Sequence, residues 1–306
     1  MDRASQNQIA SRRRFGATGA LAAVLAGAAA ATLALAGPAP IEPSAGTQDE
    51  AEAALTAAFA RAGVLVERDA GLLAFPARVE VRHDALEYLL VNPHGAVHEA
   101  LFVTETDAEV LSAAFLAAGA EPGTNVTFEA IDPPPSREEV RAGAPTHDVE
   151  IPSGKPVYLH AAWREAAGAY DEETAAFPAE SVHFHRLEDL VIDLERDRTM
   201  RRHGLVWLGS RMVESEQQGG PERFAAKATG NLMCVSFFSQ GDTLLTTAIP
   251  ECVSQTAWIP NGWLMPEPGA PVLLIASSTP LERVPDSLRD ALPLAPEPAR
   301  EPAEGR

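Results

Sequence analysis

The sequence predicts an α+β fold with a mostly antiparallel or mixed β-sheet and two or three helices in a single domain. Short alternating or β-branched runs recur between turn-forming residues along most of the chain, which is typical of strands. Three other segments begin with capping-box spacing, and the first two of them carry apolar residues at helical intervals. A hydrophobic fraction of 46% and a charged fraction of 22% suit a globular core, so a chain disordered throughout is excluded.

The N-terminal region has the composition of an export signal. A run reading SRRRF, with Arg12, Arg13 and Phe15, resembles the twin-arginine consensus. Residues 15–36 carry no charge and include 11 alanines, so this stretch is long but weakly apolar for a permanent anchor. Residues 1–36 are therefore predicted to be a twin-arginine-type signal peptide that is cleaved after export. The alternative is an uncleaved membrane anchor.

A proline-rich spacer is expected at residues 37–46, and the folded domain at residues 47–284. The first predicted helix begins with the capping-box pair Thr47 and Glu50 and ends at Gly63. Turn-forming residues then separate three runs with strand patterns. The expected strands are Val64–Glu67, Leu72–Val81 and Leu86–Val91.

Two more helices are marked by their capping residues. Thr106 and Glu109 have capping-box spacing, and Gly119 lies where the C-terminal glycine of that helix belongs. Ser136 and Glu139 begin a short third helix after three consecutive prolines. Most of the remaining chain has strand patterns. The expected strands are Val157–His160, Ser181–His185, Leu190–Leu194, Leu205–Leu208, Leu232–Phe238, Thr243–Ala248 and Val272–Ala276.

The C-terminal 22 residues and the overall charge are also informative. Residues 285–306 contain five prolines and few apolar side chains, which predicts a disordered Pro/Glu-rich tail. The 43 acidic residues outnumber the 24 basic ones, giving a formal charge of −19. A chain this acidic repels phosphate backbones, so nucleic-acid binding is not expected.

The chain has two cysteines, Cys234 and Cys252. An even number of cysteines in an oxidising compartment favours pairing, so these two are predicted to form a disulfide. The alternative is a pair of buried free thiols.

Several short segments together form a pattern that spans most of the chain. In the first half they are Tyr88–Val91, Gly95, His98-Glu99, Leu101–Thr104 and Gly119–Gly123. In the second half they are Pro156-Val157, Trp163, Gly209-Ser210, Gly230-Asn231, Trp258–Asn261 and Pro268–Val272. These segments resemble the YdjY-domain family of exported bacterial proteins. The resemblance spans roughly residues 72–276 and implies an exported globular domain. It implies no catalytic residues, because the family has no established activity.

Four residues within these segments are the predicted ligand-binding residues: His98, Glu99, Trp258 and Asn261. His98 lies four residues after His94, but a proline and a glycine beside His94 prevent the helix that would bring both together as zinc ligands. The alternative for His98 and Glu99 is a structural role, in which they bond buried backbone at a turn.

His183 and His185 flank one residue in a predicted strand, so their imidazoles project from the same face. Two histidines so placed can bind one zinc ion, which needs further ligands. The additional ligand would be an acidic residue or a distant histidine: Glu188, Asp189, His98 or His203. A solvated strand face produces the same pattern without a metal, and nearby arginines oppose a dication.

The sequence lacks the serine elbow Gly-x-Ser-x-Gly, phosphate-binding and dinucleotide-binding glycine motifs, and Cys-x-x-Cys. No cofactor is therefore predicted, and the sequence favours a non-enzymatic domain. We expect a soluble, periplasmic or otherwise exported domain that binds a protein, a cell-envelope component or a small ligand. The twin-arginine translocon would be its partner during export, and the mature form would not span the membrane. The alternative is a metal-dependent hydrolase that uses zinc at His183 and His185.

Overall fold

The computed structural model describes residues 45–165, 180–214 and 220–296. The described residues from Asp49 onward belong to one compact unit. The signal peptide and all but the last two residues of the expected spacer lie outside the described residues, so those expectations stay predictions. No helix within the described ranges is long and apolar enough to cross a lipid bilayer.

The described residues contain four α-helices, eighteen strands and five 3-10 helices. The α-helices are α1 (Ala45–Arg61), α2 (Ala108–Ala117), α3 (Arg137–Arg141) and α4 (Ala225–Thr229). The first nine strands are β1 (Leu65–Glu67), β2 (Leu72–Val79), β3 (Tyr88–Val91), β4 (Ala100–Val103), β5 (Thr127–Ala130), β6 (His147–Glu150), β7 (Pro156–Glu165), β8 (Ser181–Arg186) and β9 (Val191–Asp193). The others are β10 (Arg198–Thr199), β11 (Leu205–Trp207), β12 (Met212–Val213), β13 (Arg223–Phe224), β14 (Asn231–Cys234), β15 (Leu245–Thr246), β16 (Trp258–Pro260), β17 (Pro271–Ser277) and β18 (Leu294–Ala295). The 3-10 helices are Val97–Glu99, Leu187–Leu190, Pro250–Val253, Gly262–Leu264 and Asp286–Ala291.

Eight strands form a sheet that closes on itself. Their order is β2, β17, β7, β11, β15, β14, β3 and β4, and β4 pairs again with β2, placing Val103 opposite Arg78. Only β14–β15 and β3–β4 are parallel pairs among these strands. The chain is therefore mainly β with some helices. The mixed sheet and the helices agree with the sequence prediction, whereas the closure of the sheet was not predicted.

The interior of the closed sheet is the main hydrophobic core. Alternate residues of β2, such as Leu73 and Phe75, join this core, and α2 contributes Leu111 and Phe115. All four are at most 1% exposed. Burying each such side chain contributes roughly 1.5–3 kcal/mol, so the periodic apolar positions account for both the strand faces and the buried face of α2.

The outer face of β2, β17 and β7 carries a second apolar cluster, and the C-terminal segment covers it. Leu288 and Leu292 are 1% and 3% exposed and pack in this cluster against β17 residues such as Ile275. Strand β18 pairs in parallel with β7. The expectation of a disordered tail from residue 285 is therefore wrong for residues 285–296, because a few apolar side chains spaced for burial suffice to dock this segment. Residues 297–306 lie outside the described part.

The N-terminal caps of the helices agree with the sequence prediction only for α3. Helix α3 has the predicted capping box, with Ser136 accepting from the Glu139 backbone and Glu139 bonding back to Ser136. Helix α2 is instead capped by Asp107, whose carboxylate accepts from the Glu109 backbone N–H at 2.8 Å. Helix α1 begins at Ala45, two residues before Thr47. The capping boxes predicted for α1 and α2 are wrong, and α1 begins before Thr47.

Both cysteines are free and buried, so the predicted disulfide is wrong. Cys252 lies in the main core, while Cys234 packs in a separate outer cluster with Tyr88. The Cys234 Sγ lies 3.7 Å from the Thr243 Oγ1 and 3.6 Å from the Leu245 carbonyl. Burial, the main cause, raises the pKa of both thiols. The alternative prediction, a pair of buried free thiols, is the one that the structure confirms.

Candidate functional site

Strand β8 pairs with β7 beyond the stretch where β11 pairs with β7, so it extends the sheet at one end of the closed ring. The antiparallel register places His183 opposite Trp163 and His185 opposite Ala161. Trp163 and Ala161 both belong to the interior face of β7. Directly paired residues share a face, so the two histidines lie on the side of β8 that continues the interior.

A cleft of about 300 Å³ lies against these histidines. The strands contribute Trp163, Glu165, His183 and His185, and one further wall is the segment 263–267. The remaining lining residues are Arg82, which follows β2, and Pro296. Sites of this kind, concave and mixed in polarity, are where proteins bind small ligands.

Trp163 forms the floor of the cleft. It is 3% exposed, and the His183 ring stacks on it with 5.1 Å between centroids and 5° between planes. The His183 Nε2 lies 2.8 Å from the Glu165 Oε2. The indole and the carboxylate together hold the imidazole in one orientation, which makes His183 a rigid part of the wall.

Ser181, His183 and Glu165 resemble a hydrolytic triad in composition but not in geometry. The Ser181 Oγ lies 3.3 Å from the His183 Nε2, the same nitrogen that contacts Glu165. A triad needs the serine on one ring nitrogen and the carboxylate on the other, so that the ring can accept a proton while the carboxylate orients it. This arrangement therefore does not activate Ser181 as a nucleophile.

His185 lies beside His183, with 6.1 Å between ring centroids. Burial, and then the neighbouring His183, lower the pKa of His185. Its Nε2 is shielded from solvent and has no hydrogen-bond partner among the described residues. His185 is thus a neutral imidazole at ordinary pH, and it adds polarity to the cleft without adding charge.

Trp263 is 94% exposed and lies on the rim of the cleft, in the 3-10 helix Gly262–Leu264. Arg82 anchors this turn by donating from Nε and Nη2 to the Gly262 carbonyl, at 3.1 and 2.8 Å. The same guanidinium forms an ion pair with Glu267. Arg82 therefore holds the turn before Trp263 through the Gly262 carbonyl and after it through the Glu267 side chain, and the exposed indole extends from this braced turn.

The acidic residues predicted as further metal ligands are engaged by arginines rather than by a site at His183 and His185. Glu188 is bound by the Arg186 guanidinium and accepts from the His203 backbone N–H at 2.9 Å, while Asp189 is bound by Arg202. The carboxylate that contacts His183 is that of Glu165, not that of Glu188 or Asp189. Across the described ranges, no three His, Cys, Asp or Glu residues are grouped so that they could hold a metal ion. Nothing in this geometry supports the hydrolase alternative.

Two of the four predicted ligand-binding residues have structural contacts. Trp258 is fully buried, and its Nε1 donates to the Ser254 carbonyl at 3.0 Å. The Asn261 Nδ2 donates to the Asp189 carbonyl, also at 3.0 Å. These bonds hold β16 and the start of the Trp263 turn in place, so Trp258 and Asn261 support the rim of the cleft rather than line it.

The other two lie in the 3-10 helix Val97–Glu99, outside the cleft. The His98 side chain is 80% exposed, with its Nε2 3.8 Å from the Glu99 Oε1. Glu99 also contributes, after burial, to the raised pKa of Glu87. No hydrogen bond within the described chain joins His98 or Glu99 to Trp258 or Asn261, so ligand binding by this set stays a prediction.

Sequence reasoning identified His183 and His185 but missed Trp263, Arg82, Glu165 and Glu267. Strand alternation is a local signal, whereas the other four come together only through the fold. One signal was present in the sequence: Trp263 follows a glycine and precedes two prolines within five residues, a loop context in which a large aromatic side chain is not needed for the core.

The family model for the YdjY domain matches residues 64–277. The chain belongs to the YdjY domain family. This confirms the resemblance found in the sequence. The match includes every described residue of the cleft except Pro296, and the C-terminal segment covering β17 lies beyond it. No curated protein and no solved structure matches the chain. Membership of the YdjY domain family brings no activity, substrate or partner with it.

Proposed function

We propose that this YdjY domain is an exported, non-enzymatic binding domain whose cleft holds a component of the cell envelope. One observation carries the proposal: Trp263, a large aromatic side chain, is 94% exposed on a turn that Arg82 braces. Tryptophan and arginine are enriched among the residues that contribute most to binding. An exposed indole gains nothing for folding, but it can be buried by a ligand.

The polar groups of the cleft support binding rather than catalysis. Glu165 orients the His183 ring, and Glu267 pairs with Arg82. These pairs fix the shape of the walls. Because Ser181 and Glu165 share one nitrogen of His183, they do not form a proton relay.

The binding test uses the chain and an isolated cell-envelope fraction that pellets on centrifugation. We expect the parent protein to pellet with this fraction, and Trp263→Ala to lose most of the association because the stacking surface is gone. Met212→Ala is the matched control, since Met212 is 52% exposed and lies outside the cleft. Equal pelleting of the parent and Trp263→Ala would contradict the proposal, as would the absence of pelleting.

The export part of the proposal rests on Arg12, Arg13 and the uncharged alanine-rich stretch that follows. Replacing both arginines by lysine should leave the precursor in the cytoplasm, because the twin-arginine translocon reads the arginine pair. Arg3→Lys is the control and should not change export. Localisation is followed by fractionation and immunoblotting. An unchanged periplasmic yield for the double variant would show that the chain does not use this route.

A further inference from the structure

We propose that the ligand of the cleft is a neutral oligosaccharide, with a sugar ring stacked on Trp263. This inference rests on the proposed binding function and adds the chemical class of the ligand. Three properties of the cleft lead to it: the exposed indole on the rim, the composition of the polar walls and the balance of charge.

The indole of Trp263 offers a flat, electron-rich surface at the entrance. The C–H groups on one face of a pyranose ring carry partial positive charge and pack against the negative face of an aromatic ring. Stacking of this kind buries apolar surface and leaves the equatorial hydroxyls at the edge of the sugar free. Those hydroxyls would then point along the cleft toward its polar walls.

The polar walls match hydroxyl groups, which donate and accept at the same time. Glu165 and Glu267 provide carboxylate oxygens that accept, and their side chains are 42% and 46% exposed. Arg82 provides N–H donors beside Glu267. Planar side chains of these types, already held by partners, form directional bonds with little further ordering. A purely apolar ligand would leave these groups unpaired as it displaced water from them.

The charge of the cleft favours a neutral ligand. The guanidinium of Arg82 is balanced by Glu267, and Glu165 remains beside His183 and the neutral His185. The chain as a whole carries a formal charge of −19, which repels anions. A phosphorylated or uronic acid ligand would face both the net charge and the Glu165 carboxylate, whereas a neutral sugar faces neither penalty.

The location of the tryptophans allows ligand binding at Trp263 to be measured by fluorescence. The chain has four tryptophans, and the other three, Trp163, Trp207 and Trp258, are at most 3% exposed. Acrylamide quenching of the intrinsic fluorescence therefore reports mainly on Trp263. A ligand that stacks on this indole should protect it from the quencher, and the protection can be titrated.

The experiment titrates the full chain with two neutral tetrasaccharides, cellotetraose and chitotetraose, and with anionic tetragalacturonate and a proline-rich peptide. We expect protection of Trp263 by at least one neutral tetrasaccharide and none by tetragalacturonate. Calorimetric titration of the same sugar should show binding weakened by roughly tenfold or more in Trp263→Ala, about 1.4 kcal/mol or more. Trp263→Tyr should retain part of the affinity, and Met212→Ala should bind like the parent.

The outcomes separate this inference from the function on which it rests. Trp263-dependent pelleting with the envelope fraction, without protection by either neutral sugar, would overturn the sugar class and leave the binding function standing. Protection by the proline-rich peptide alone, or by tetragalacturonate alone, would likewise overturn the neutral sugar as the ligand class and leave the binding function standing. Absence of pelleting would overturn the proposed binding of a cell-envelope component, and absence of protection as well would overturn the inference together with it.

Discussion

At the residue scale, His160 is a histidine used as a core aromatic. It is fully buried in β7, and its ring stacks on Phe184 with 4.8 Å between centroids. Burial lowers the pKa of His160 to about 4, and the positive charge of Arg186 adds to this effect. By hydrogen-bond geometry neither ring nitrogen has a partner among the described residues, and nearby backbone groups of Ile275 and Leu281 offset the lowering of the pKa only in part. The neutral ring therefore fits the site, and the protonated ring does not.

His160 should make the fold less stable in acid. Its folded-state pKa, about 4, lies below the unfolded value of 6.5, so the unfolded chain binds the proton first. The free energy of unfolding is unaffected by this group above pH 6.5, and falls as the pH drops toward 4, by ~3 kcal/mol in total. In His160→Phe this contribution is removed. Urea denaturation at pH 7, 5.5 and 4.5 should therefore show that the free energy of unfolding falls less with decreasing pH in the variant than in the parent.

His98→Phe is the control for the exchange of histidine for phenylalanine, because the His98 side chain is 80% exposed whereas His160 is fully buried. His185 and His203 also have pKa values lowered mainly by burial, so His160→Phe keeps part of the acid sensitivity. A decline in His160→Phe as steep as in the parent would mean that His160 is not the neutral core group described above.

The two cysteines lead to a second prediction at this scale. Cys234 and Cys252 are buried, free and have raised pKa values, so both thiols are protonated and shielded from reagents. Iodoacetamide should label neither thiol in the native protein and both after denaturation without a reductant. Mass spectrometry counts the labels. Denatured protein that takes no label would show that a disulfide had formed.

At the element scale, the segment 285–296 is held by a few side chains. Leu288 is 1% exposed in the cluster on the outer face of β17, and Leu294 is 47% exposed in β18. Leu288→Ala should lower the free energy of unfolding by about 2–5 kcal/mol, the range for a buried leucine. Leu294→Ala, the matched control, should change it by less than ~1 kcal/mol.

If Leu288→Ala lowers the free energy of unfolding as little as Leu294→Ala does, in thermal or urea denaturation, the segment does not stabilise the domain. The composition of this segment misled the sequence prediction because proline content describes the average of a stretch. Docking instead depends on the spacing of Val284, Leu288 and Leu292, which places three apolar groups on one side.

Elements whose formation depends on neighbouring residues were predicted well. The capping box of Ser136 and Glu139 was found because both partners lie within one turn. The start of α2 was missed by one residue because Thr106 and Asp107 are adjacent and both suit an N-cap, and the backbone favoured the aspartate. The strand β8 and the common face of His183 and His185 followed from simple alternation.

At the scale of the whole molecule, the features that were missed are those that join distant parts of the chain. The closure of the sheet depends on β4 pairing with β2, and no local pattern specifies that partner. The cleft combines Arg82, Glu165 and Trp263, which lie on three separate elements. Likewise, the disulfide was predicted from the number of cysteines, while their separation into two apolar clusters is a property of the fold.

The pairing of β2 with β17 also has a consequence for how the chain comes to be folded. These neighbours in the ring are separated by about 200 residues of sequence, so their contact is strongly non-local and forms slowly. During synthesis, β2 and β7 are made long before the strand that pairs with both of them. A chain that terminates before residue 271 would therefore keep two open strand edges, and such edges pair with other chains. Prematurely terminated products of this protein should accumulate as aggregates rather than as partly folded monomers.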